Sequence, residues 1–419
     1  MRLLQNYLYQ YCLASAFVCF ALQVLTGILL SLQYEPSLRP ASTEAGKPLV
    51  MVEITKQLRF KPTQTSFSKG EWYFLEWDTA SKAPFYAPDT LRTVSRLVID
   101  TRSTLPLQAT TAYLSVEQGI MRSSDFGIII RGVHQTAASL SIIVLVCWML
   151  FHLFHGIAAQ GLLFPHIFPH IAGTLLFALT FGTSIIGYIL PMNLQSLAAL
   201  EILLASLESF PLIGVPLANL LKGSSALGST TIVRLYILHI LLIPALLGVC
   251  WYLARTIVLW DKERRLQYAI LGVSIVWLCV GITCGTALPT QDSINLPADF
   301  TKVIHINPHA QPEWYALGFA ALLKILPSWS VSIGAVLWLS VVVVLPLIER
   351  FSQPVGNVCR SLAALFLLGF ILLTFWELRH YAFPQFGFTE ESLETVLVMS
   401  ILSATLIGTA IAYKRQSEG

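Results

Sequence analysis

Long apolar stretches recur along the whole chain, and they constrain its fold more than any other feature of the sequence. Eight of them approach the roughly 20 residues that an α-helix needs to cross a bilayer. The 419 residues are 55% hydrophobic and only 12% charged, whereas an average soluble domain has roughly 25% charged residues. The sequence therefore predicts an all-α integral membrane protein, with spans at about 11–34, 126–150, 171–190, 231–253, 266–288, 329–348, 361–376 and 394–413.

Positive charges predict the orientation of these spans, because Lys and Arg in short loops concentrate on the cytoplasmic side. If the N-terminus lies inside, the inner side holds nine Lys and Arg residues, including Arg255 and Arg350, and the short outer loops hold three. Both termini are therefore expected in the cytoplasm. The first span is long and apolar, so we expect no cleavable signal peptide. The net charge of +3 is spread thinly, which argues against nucleic acid as a partner.

A long polar region separates the first two spans. Structureless loops beyond about 15 residues are uncommon, and its segments LVMVEITKQLRF and GEWYFLEW mix β-branched and aromatic residues as strands do. We expect a small outer-side subdomain here, and short amphipathic helices along the outer surface at 194–221. The predicted regions are the first span at 1–35, the outer-side insertion at 36–122, spans two to four at 123–260, and the later spans at 261–419.

Spans two and four each carry an arginine shortly before a histidine. Span two contains Arg131 and His134, and span four contains Arg234 and His239. Ionisable residues inside spans are costly and usually functional, and imidazole is a common axial ligand of haem iron. The pattern predicts one haem bound between the two helices, with the arginines paired to its propionates. The alternative is that each pair only makes hydrogen bonds between helices.

Glycines give a second indication of a cofactor. Span three carries Gly173 and Gly187, which are 14 residues apart. Fourteen residues are about 1400° of helical rotation, so both lie on nearly one face, about 21 Å apart. A flat macrocycle needs such gaps, because glycine lets a backbone approach closely. Ordinary helix packing through small residues explains the same spacing, and the glycines alone favour that alternative.

Taken together, these residues resemble cytochrome b of the quinol-oxidising bc and bf complexes. The resemblance covers most of the chain, through ALQVLTGILLSLQYEPS in span one, GYILP at 187–191, PLIGVPLANLLKGSSALGSTTIVRLYILH, and NPHAQPEWYALGFAALLKILP. It implies an all-α transmembrane, eight-helix cytochrome b-type bundle, with 36–122 as a long outer-side insertion between helices one and two. It also implies a haem b on the outer side, whose site is formed by His134, His239, Arg131, Arg234, Gly27 and Gly187.

The PEWY motif at residues 312–315 is highly specific to this family. In the family its glutamate lies in an outer-side pocket and takes a proton from quinol, so the resemblance assigns this role to Glu313. A carboxylate partly desolvated at the membrane surface is expected to have a raised pKa that suits this task. An isolated Pro-Glu pair would be explained more simply by a helix start. The resemblance also places Tyr188 in the catalytic pocket, and Pro312, Trp314 and Tyr315 at the quinol.

One departure from the family touches this outer pocket. The family's P-W-G after span three is Pro191-Met192-Asn193 here, and the aromatic residues that follow it are Leu197 and Ala198. The shape of the quinol pocket is therefore expected to differ from that of other members.

The inner side departs further, because family members carry a second haem there. Its histidine positions are Trp148 in span two and Leu253 or Ala254 in span four, and an inner glycine of span one is Leu13. These bulkier residues predict that the inner haem is absent and that protein fills its place. The alternative is a displaced haem bound by other inner-side residues, for which the candidates are His152, His155, His166, His170 and Cys12.

The resemblance predicts a cytochrome b subunit of a quinol:cytochrome c or plastocyanin-type oxidoreductase, in which electrons from quinol pass through one b-type haem. Expected partners are a Rieske-type iron–sulfur protein and a cytochrome c-type or equivalent acceptor subunit, in a homodimeric complex of a bacterial inner or other energy-transducing membrane. The alternative is a structural or quinone-binding membrane subunit that no longer relays electrons across the membrane. A transporter would need broken helices and internal repeats, and the sequence has neither.

Overall fold

The computed structural model describes residues 2–40, 50–53, 72–78, 83–87, 107–121, 125–155, 167–224, 227–254, 265–286 and 312–382. Seven helices in this part of the chain are long and apolar enough to cross a membrane, at Tyr11–Ser31, Phe126–Phe154, His170–Ile189, Ser229–Ala254, Gln267–Cys284, Ser328–Phe351 and Gln353–Leu378. They coincide with the first seven predicted spans, and the predicted all-α transmembrane fold is confirmed by them. The eighth predicted span, 394–413, lies outside the described residues.

The described helices follow one another in a simple order. They are α1 (Arg2–Ser31), α2 (Thr111–Leu114), α3 (Asp125–His155), α4 (Ile167–Ile189), α5 (Leu194–Glu208), α6 (Gly214–Lys222), α7 (Ser229–Ile237), α8 (Ile243–Ala254), α9 (Arg265–Thr286), α10 (Leu317–Ile325), α11 (Ser328–Phe351) and α12 (Gln353–Ala382). π-Helical turns at Ser115–Met121 and Leu238–Leu242 and a 3-10 turn at Trp314–Ala316 supplement them. Because the second π-helical turn joins α7 directly to α8, these three elements form one span.

Four strands lie in the region between α1 and α2. They are β1 (Val50–Glu53), β2 (Trp72–Asp78), β3 (Ala83–Ala87) and β4 (Leu107–Gln108). They form an antiparallel sheet in the order β3-β2-β1-β4. β1 lies within the first segment whose composition is typical of strands, and β2 lies within the second except for its last residue, Asp78. An antiparallel bridge between Pro40 and Thr110 brings the two ends of this region together.

The spans pack in a bundle in which α1 lies along α3 and α4 lies along the α7–α8 span. We call the half that contains the N-terminal part of α1 the inner half, and the opposite half the outer half. A large hydrophobic cluster lies in the inner half and includes Leu13, Trp148, Leu176, Cys250 and Ala254. A second cluster lies in the outer half, at the α4–α5 connection and the start of α7, and includes Ile189, Met192, Leu200, Ile232 and Leu235.

The π-helical turn in the fourth span carries His239. Pro244 follows it in the first turn of α8 and has no N–H to donate to the carbonyl of Ile240, so the regular α-helical bond cannot form there. Such one-turn π-segments inside helices are frequent at functional sites. The sequence therefore changes the helical geometry next to a predicted ligand.

The short helices predicted at 194–221 form as α5 and α6. Asn193 begins α5, because its Oδ1 accepts a hydrogen bond from the Ser196 N–H at 2.8 Å. Gly223 ends α6 with a left-handed φ of 76°, a conformation that glycine adopts without a steric cost. Leu212 and Val215 between and within these helices are exposed, as expected for helices that lie at a membrane surface.

Candidate functional site

His134 of α3 and His239 of the fourth span lie together in the outer half. Their ring centroids are 6.1 Å apart, and the ring planes are inclined at 68°. A threonine from another helix contacts each ring: Thr26 Oγ1 of α1 lies 2.9 Å from His134 Nδ1, and Thr183 Oγ1 of α4 lies 3.1 Å from His239 Nδ1. The structure therefore brings the two predicted haem ligands together among four spans.

The hydrogen bonds determine which nitrogen of each imidazole carries the proton. Thr26 donates its hydroxyl hydrogen to the Leu22 carbonyl at 2.7 Å, so it accepts from His134 Nδ1–H. His239 Nδ1 donates to the carbonyl of Thr183 at 3.0 Å, since a carbonyl only accepts. In each neutral ring Nε2 then keeps a lone pair. Neither Nε2 has a hydrogen-bond partner among the described residues.

This donor set fits a haem. Two neutral imidazoles with available lone pairs are a common axial pair for haem iron. With metal–nitrogen bonds of about 2 Å, the length known for zinc, and each centroid about 1 Å behind its nitrogen, two opposed rings lie about 6 Å apart. The observed centroid distance of 6.1 Å agrees with this. The Nδ1 bonds to Thr26 and Thr183 hold the tautomer and orientation, as the outer partners of metal-binding histidines commonly do.

Gly27 and Gly187 lie directly against the two histidines. A Cβ atom at Gly27 would lie 3.3 Å from His134 Cε1, and one at Gly187 would lie 2.6 Å from His239 Cε1. The second distance is below any that real Cβ atoms show, so alanine at position 187 would displace the imidazole. In this structure, the gap at each of these glycines therefore accommodates an imidazole ring.

The two arginines of the predicted pairs make other contacts in this structure. Arg131 Nη1 lies 3.5 Å from Met121 Sδ, and its positive charge acts on the carboxylate of Glu313. Arg234 donates a hydrogen bond to the carbonyl of Leu220 near the end of α6. Their pairing with haem propionates stays a prediction.

Glu313 contacts α3, the helix of the predicted ligand His134, rather than its own turn. It precedes the 3-10 turn with an extended backbone and makes no capping hydrogen bond with its side chain. Its Oε1 instead accepts a hydrogen bond from Gln135 Nε2 of α3 at 2.8 Å. A glutamate that only stabilised the helix start would lie at the free N–H groups of that start. The contact argues against this simpler explanation for the Pro312-Glu313 pair.

Trp314 and Tyr315 attach the PEWY turn to both α3 and α4. Trp314 Nε1 donates to Ser139 Oγ at 3.2 Å, and Ser139 lies on the same face of α3 as Gln135, one turn later. Tyr315 is buried, and its hydroxyl donates to the carbonyl of Ser184 at 3.1 Å. The turn is therefore bound by the two helices that also carry a predicted ligand and a ligand-orienting threonine.

The electrostatics around Glu313 suit a proton acceptor. Burial raises the pKa of its carboxyl above the usual range, while the hydrogen bond from Gln135 and the charge of Arg131 oppose that rise. Burial also raises the pKa of the Tyr315 hydroxyl, and the nearby Glu313 and Tyr188 add to the effect. The Tyr315 phenol is therefore neutral at physiological pH, and Glu313 changes charge more readily than Tyr315 does.

The altered turn after α4 lies next to Tyr188. Met192 is fully buried and has a φ of 50°, a left-handed conformation that residues other than glycine rarely adopt. The Tyr188 hydroxyl donates to Gln195 Oε1 of α5 at 3.3 Å, and Ser196 Oγ donates to the Tyr188 carbonyl at 2.8 Å. Polar bonds from α5 thus position Tyr188 where the family pattern is lost.

In the inner half, Trp148 fills the space beside the second glycine of α4. A Cβ atom at Gly173 would overlap the six-membered ring of Trp148. Trp148 and Leu13 are both completely buried in the inner cluster. Ala254 is completely buried there as well, whereas Leu253 is 43% exposed, so Ala254 is the residue of the fourth span that lies in this core.

His152 and His170 are engaged in packing and hydrogen bonding. The ring of His152 lies 5.3 Å from that of Trp148 at an interplanar angle of 12°, and 4.3 Å from that of His170 at 30°. His170 Nε2 donates to the carbonyl of Val342 at 2.8 Å. That carbonyl lacks its usual helical partner, because Pro346 four residues later has no N–H. His170 therefore satisfies a carbonyl group that a proline leaves unpaired.

The other candidates for a displaced haem add little to this picture. Cys12 is half-buried at the edge of the inner cluster. The side chain of His155 and the whole of His166 lie outside the described residues. Within the part of the chain that the structure describes, no group of three or more His, Cys, Asp or Glu side chains is placed to bind a metal ion.

Several contact residues of the site escaped sequence reasoning, among them Thr26, Thr183 and Gln135. Thr183 precedes Gly187 by four residues and so shares its helix face, and Thr26 is adjacent to Gly27. A hydroxyl beside each glycine was thus a usable signal. Gln135 offers no comparable signal, because its partner lies 178 residues away.

Comparisons with known proteins agree with the resemblance drawn from the sequence. Residues 104–263 match the family model described as cytochrome b/b6/petB. This range includes both arginine–histidine pairs, Arg131 with His134 and Arg234 with His239. A solved chain described as "Hyperthermophilic respiratory Complex III" has a similar fold, with a TM-score of 0.56 over 96% of this chain and 89% of that chain. Their sequence identity is 17%, so that likeness concerns the fold alone.

Proposed function

We propose that this chain, of which residues 104–263 match the cytochrome b/b6/petB family model, is a divergent cytochrome b and the membrane subunit of a quinol-oxidising complex, with quinol oxidised in the outer half beside Glu313. The observation that carries the proposal is the arrangement of His134 and His239, whose Nδ1 atoms are bonded and whose Nε2 atoms are not. The PEWY turn binds to the same helices. Quinol oxidation needs an electron acceptor and a proton acceptor close together, and this arrangement supplies positions for both.

His134 and His239 would hold a haem b through their Nε2 atoms. When bound, that group supplies a one-electron acceptor next to the pocket. Thr26 and Thr183 keep the imidazoles in the required tautomer and orientation. Gly187 leaves the ring of His239 the room that any side chain would occupy.

Glu313 is the proposed general base that takes a proton from the quinol hydroxyl. Its burial brings the pKa of the carboxyl closer to physiological pH, where a general base works best. Tyr188, Trp314 and Tyr315 form the walls of the pocket, and Pro312 restricts the backbone before Glu313.

The expected partners and orientation belong to the same proposal. Seven apolar spans among the described residues make the chain an integral, multi-pass membrane protein, and we propose that both termini lie in the cytoplasm. The likeness to a respiratory Complex III chain supports assembly into a multi-subunit complex. The proposed partners are a Rieske-type iron–sulfur protein, a cytochrome c-type or equivalent acceptor subunit, and a second copy of this chain.

The inner haem of the family is, in this proposal, absent and replaced by protein. The buried Trp148, Leu13 and Ala254 support it, because they lie together in the core where the family would need space. The same packing favours a second candidate function, a structural or quinone-binding subunit that does not relay electrons across the membrane. The two candidates differ in whether the outer histidines bind haem.

Pyridine haemochrome quantitation on the purified chain tests both candidates. One b haem per chain supports the quinol-oxidising subunit with a single haem. No haem supports the structural or quinone-binding subunit. Two haems contradict the proposed filling of the inner half, and a crystal structure would then locate the second ligand pair.

A further inference from the structure

The hydrogen bond between Gln135 and Glu313 lies outside both the ligand set and the PEWY motif. Gln135 Nε2 is 2.8 Å from Glu313 Oε1, and the two residues are 178 positions apart. We propose that Gln135 is a positioning residue for Glu313, whose amide binds the carboxyl in both protonation states and so keeps the proton acceptor at the quinol pocket. The inference rests on the proposed function of Glu313 as the proton acceptor.

A side-chain amide is chemically suited to this task. An ionised carboxylate only accepts hydrogen bonds, so the NH₂ group of Gln135 faces it in the deprotonated state. A protonated carboxyl can also donate, and the amide can rotate by about 180° to accept from it through its carbonyl oxygen. Methionine, of similar length, has no N–H to donate, and lysine only donates. Gln135 therefore lets Glu313 gain a proton without losing its partner.

The position of Gln135 connects the carboxyl to the proposed haem site. Gln135 directly follows His134 on α3. One turn later, Ser139 accepts a hydrogen bond from Trp314 at 3.2 Å, so two side chains on one face of α3 bind the PEWY turn. A quinol that reaches Glu313 consequently lies beside the helix that carries His134.

Several charged or titratable groups act on Glu313 from neighbouring elements. Arg131 on α3 favours the ionised carboxylate, and Glu117, which is buried before α3, acts on Arg131. Tyr188 of α4 and Tyr315 of the 3-10 turn also interact with Glu313. Replacing the glutamine by an uncharged residue leaves the charge of each of these groups unchanged. A change in the titration of Glu313 would then report the loss of the amide.

The variants Gln135→Met and Gln135→Lys test the inference in the assembled complex. Methionine removes the amide, whose hydrogen bond to the ionised carboxylate is stronger than its bond to the neutral acid. The pKa of Glu313 should therefore rise, and we expect the fall of the quinol-oxidation rate at low pH to move up by as much as about one pH unit. Lysine adds a charged donor, and the fall of the rate should move to lower pH. If Gln135 had only a structural role, its replacement would lower the rate equally at every pH and would not shift the pH at which the rate falls. That result would overturn the proposal.

A second readout does not depend on activity. Infrared spectroscopy follows the carbonyl band of the protonated Glu313 carboxyl, which is identified by its loss in Glu313→Gln. We expect its titration midpoint to rise in Gln135→Met, and an unchanged midpoint overturns the inference. If the midpoint moves but the complex does not oxidise quinol, the proposed function fails and the positioning role of Gln135 stands. If quinol is oxidised while the midpoint and the pH at which the rate falls both stay in place, the inference about Gln135 fails alone.

Gln267→Met is the matched control. Gln267 Oε1 accepts a hydrogen bond from the Tyr11 hydroxyl at 2.7 Å, and Tyr11 lies 15 residues before Thr26 on α1, about 22 Å away along the helix. This variant loses one glutamine hydrogen bond far from the pocket, so both readouts should stay at their original values. If the control shifts them as much as Gln135→Met does, the effect is not specific and the proposal is wrong.

Discussion

The outer and inner halves of this bundle are built from the same helices, yet the glycines of α4 have different neighbours in each. In the outer half, Gly187 faces an imidazole, so that a Cβ atom there would lie 2.6 Å from His239 Cε1. In the inner half, Gly173 faces the indole of Trp148, which occupies the space of a Cβ atom. One pattern, two glycines 14 residues apart, thus accompanies a candidate ligand site at one end and a closed core at the other.

The difference shows that a glycine pattern predicts close approach and no more. The group opposite the glycine decides what the gap is used for. In the outer half the hydrogen bonds leave Nε2 of His239 available. In the inner half the Nε2 of His170 is used to satisfy the carbonyl of Val342. Histidines are present in both halves, and the spacing of their rings differs: the centroids of His134 and His239 are 6.1 Å apart, whereas His170 stacks on His152 at 4.3 Å, which leaves no room for a metal ion between opposed rings.

The largest expected effect is the loss of haem from the outer half. His134→Ala or His239→Ala removes a ligand that no other described side chain at the site replaces, so the reduced-minus-oxidised b-type band should disappear. His152→Ala on the same α3 helix is the inner-half control and should keep the band. If the control lost the band and the first two variants kept it, the haem would lie in the inner half. The outer half would then be the one without a cofactor.

Glu313→Gln is expected to slow quinol oxidation by roughly 10²–10⁴, as the loss of a general base does. The wild-type rate should fall as pH drops through the raised pKa of the carboxyl, because the base must be deprotonated to act. In the Glu313→Gln variant, this fall of the rate at low pH should be absent. Glu208→Gln is the control, since Glu208 forms an exposed ion pair with Lys222 at 2.6 Å and should leave the rate unchanged.

A pair of identical substitutions sharpens the comparison between the halves. Gly187→Ala and Gly173→Ala each add one methyl group in a closely packed place, and each should cost about 1–3 kcal/mol of stability. Only Gly187→Ala should also lower the haem content, because its methyl group displaces His239. Thermal unfolding measures the first effect and haemochrome quantitation the second. Equal haem loss in both variants would mean that Gly173 also borders a cofactor.

The last expected effect concerns the inner half alone, where stability should change and haem content should not. His170→Leu leaves the carbonyl of Val342 buried without a partner and should cost about 1–3 kcal/mol. Pro346→Ala restores the helical N–H to that carbonyl, so the same histidine substitution should cost less in the Pro346→Ala background. A double-mutant cycle on thermal stability measures the coupling. Additive effects would show that His170 has a role other than satisfying this carbonyl, such as metal binding.

Much of the site could be predicted from the sequence, but not which residue of each helix faces the core. His134 and His239 stand out because ionisable residues are rare inside spans. The sequence left the inner position of the fourth span open between Leu253 and Ala254. Packing decides it, since Leu253 is 43% exposed and Ala254 is completely buried. A helix that is apolar on all sides gives no periodic signal that would separate its core face from its lipid face.

By itself, the sequence determined the transmembrane class, the positions of seven spans, the candidate ligands and the PEWY segment, because these depend on local composition and on short motifs. Only the tertiary structure decided which nitrogen of each histidine is available, that Gln135 binds Glu313, and that His170 serves the carbonyl beside Pro346. The last two contacts join residues 178 and 172 positions apart. Such contacts depend on how separate helices pack against each other, and no local pattern in either helix specifies its partner.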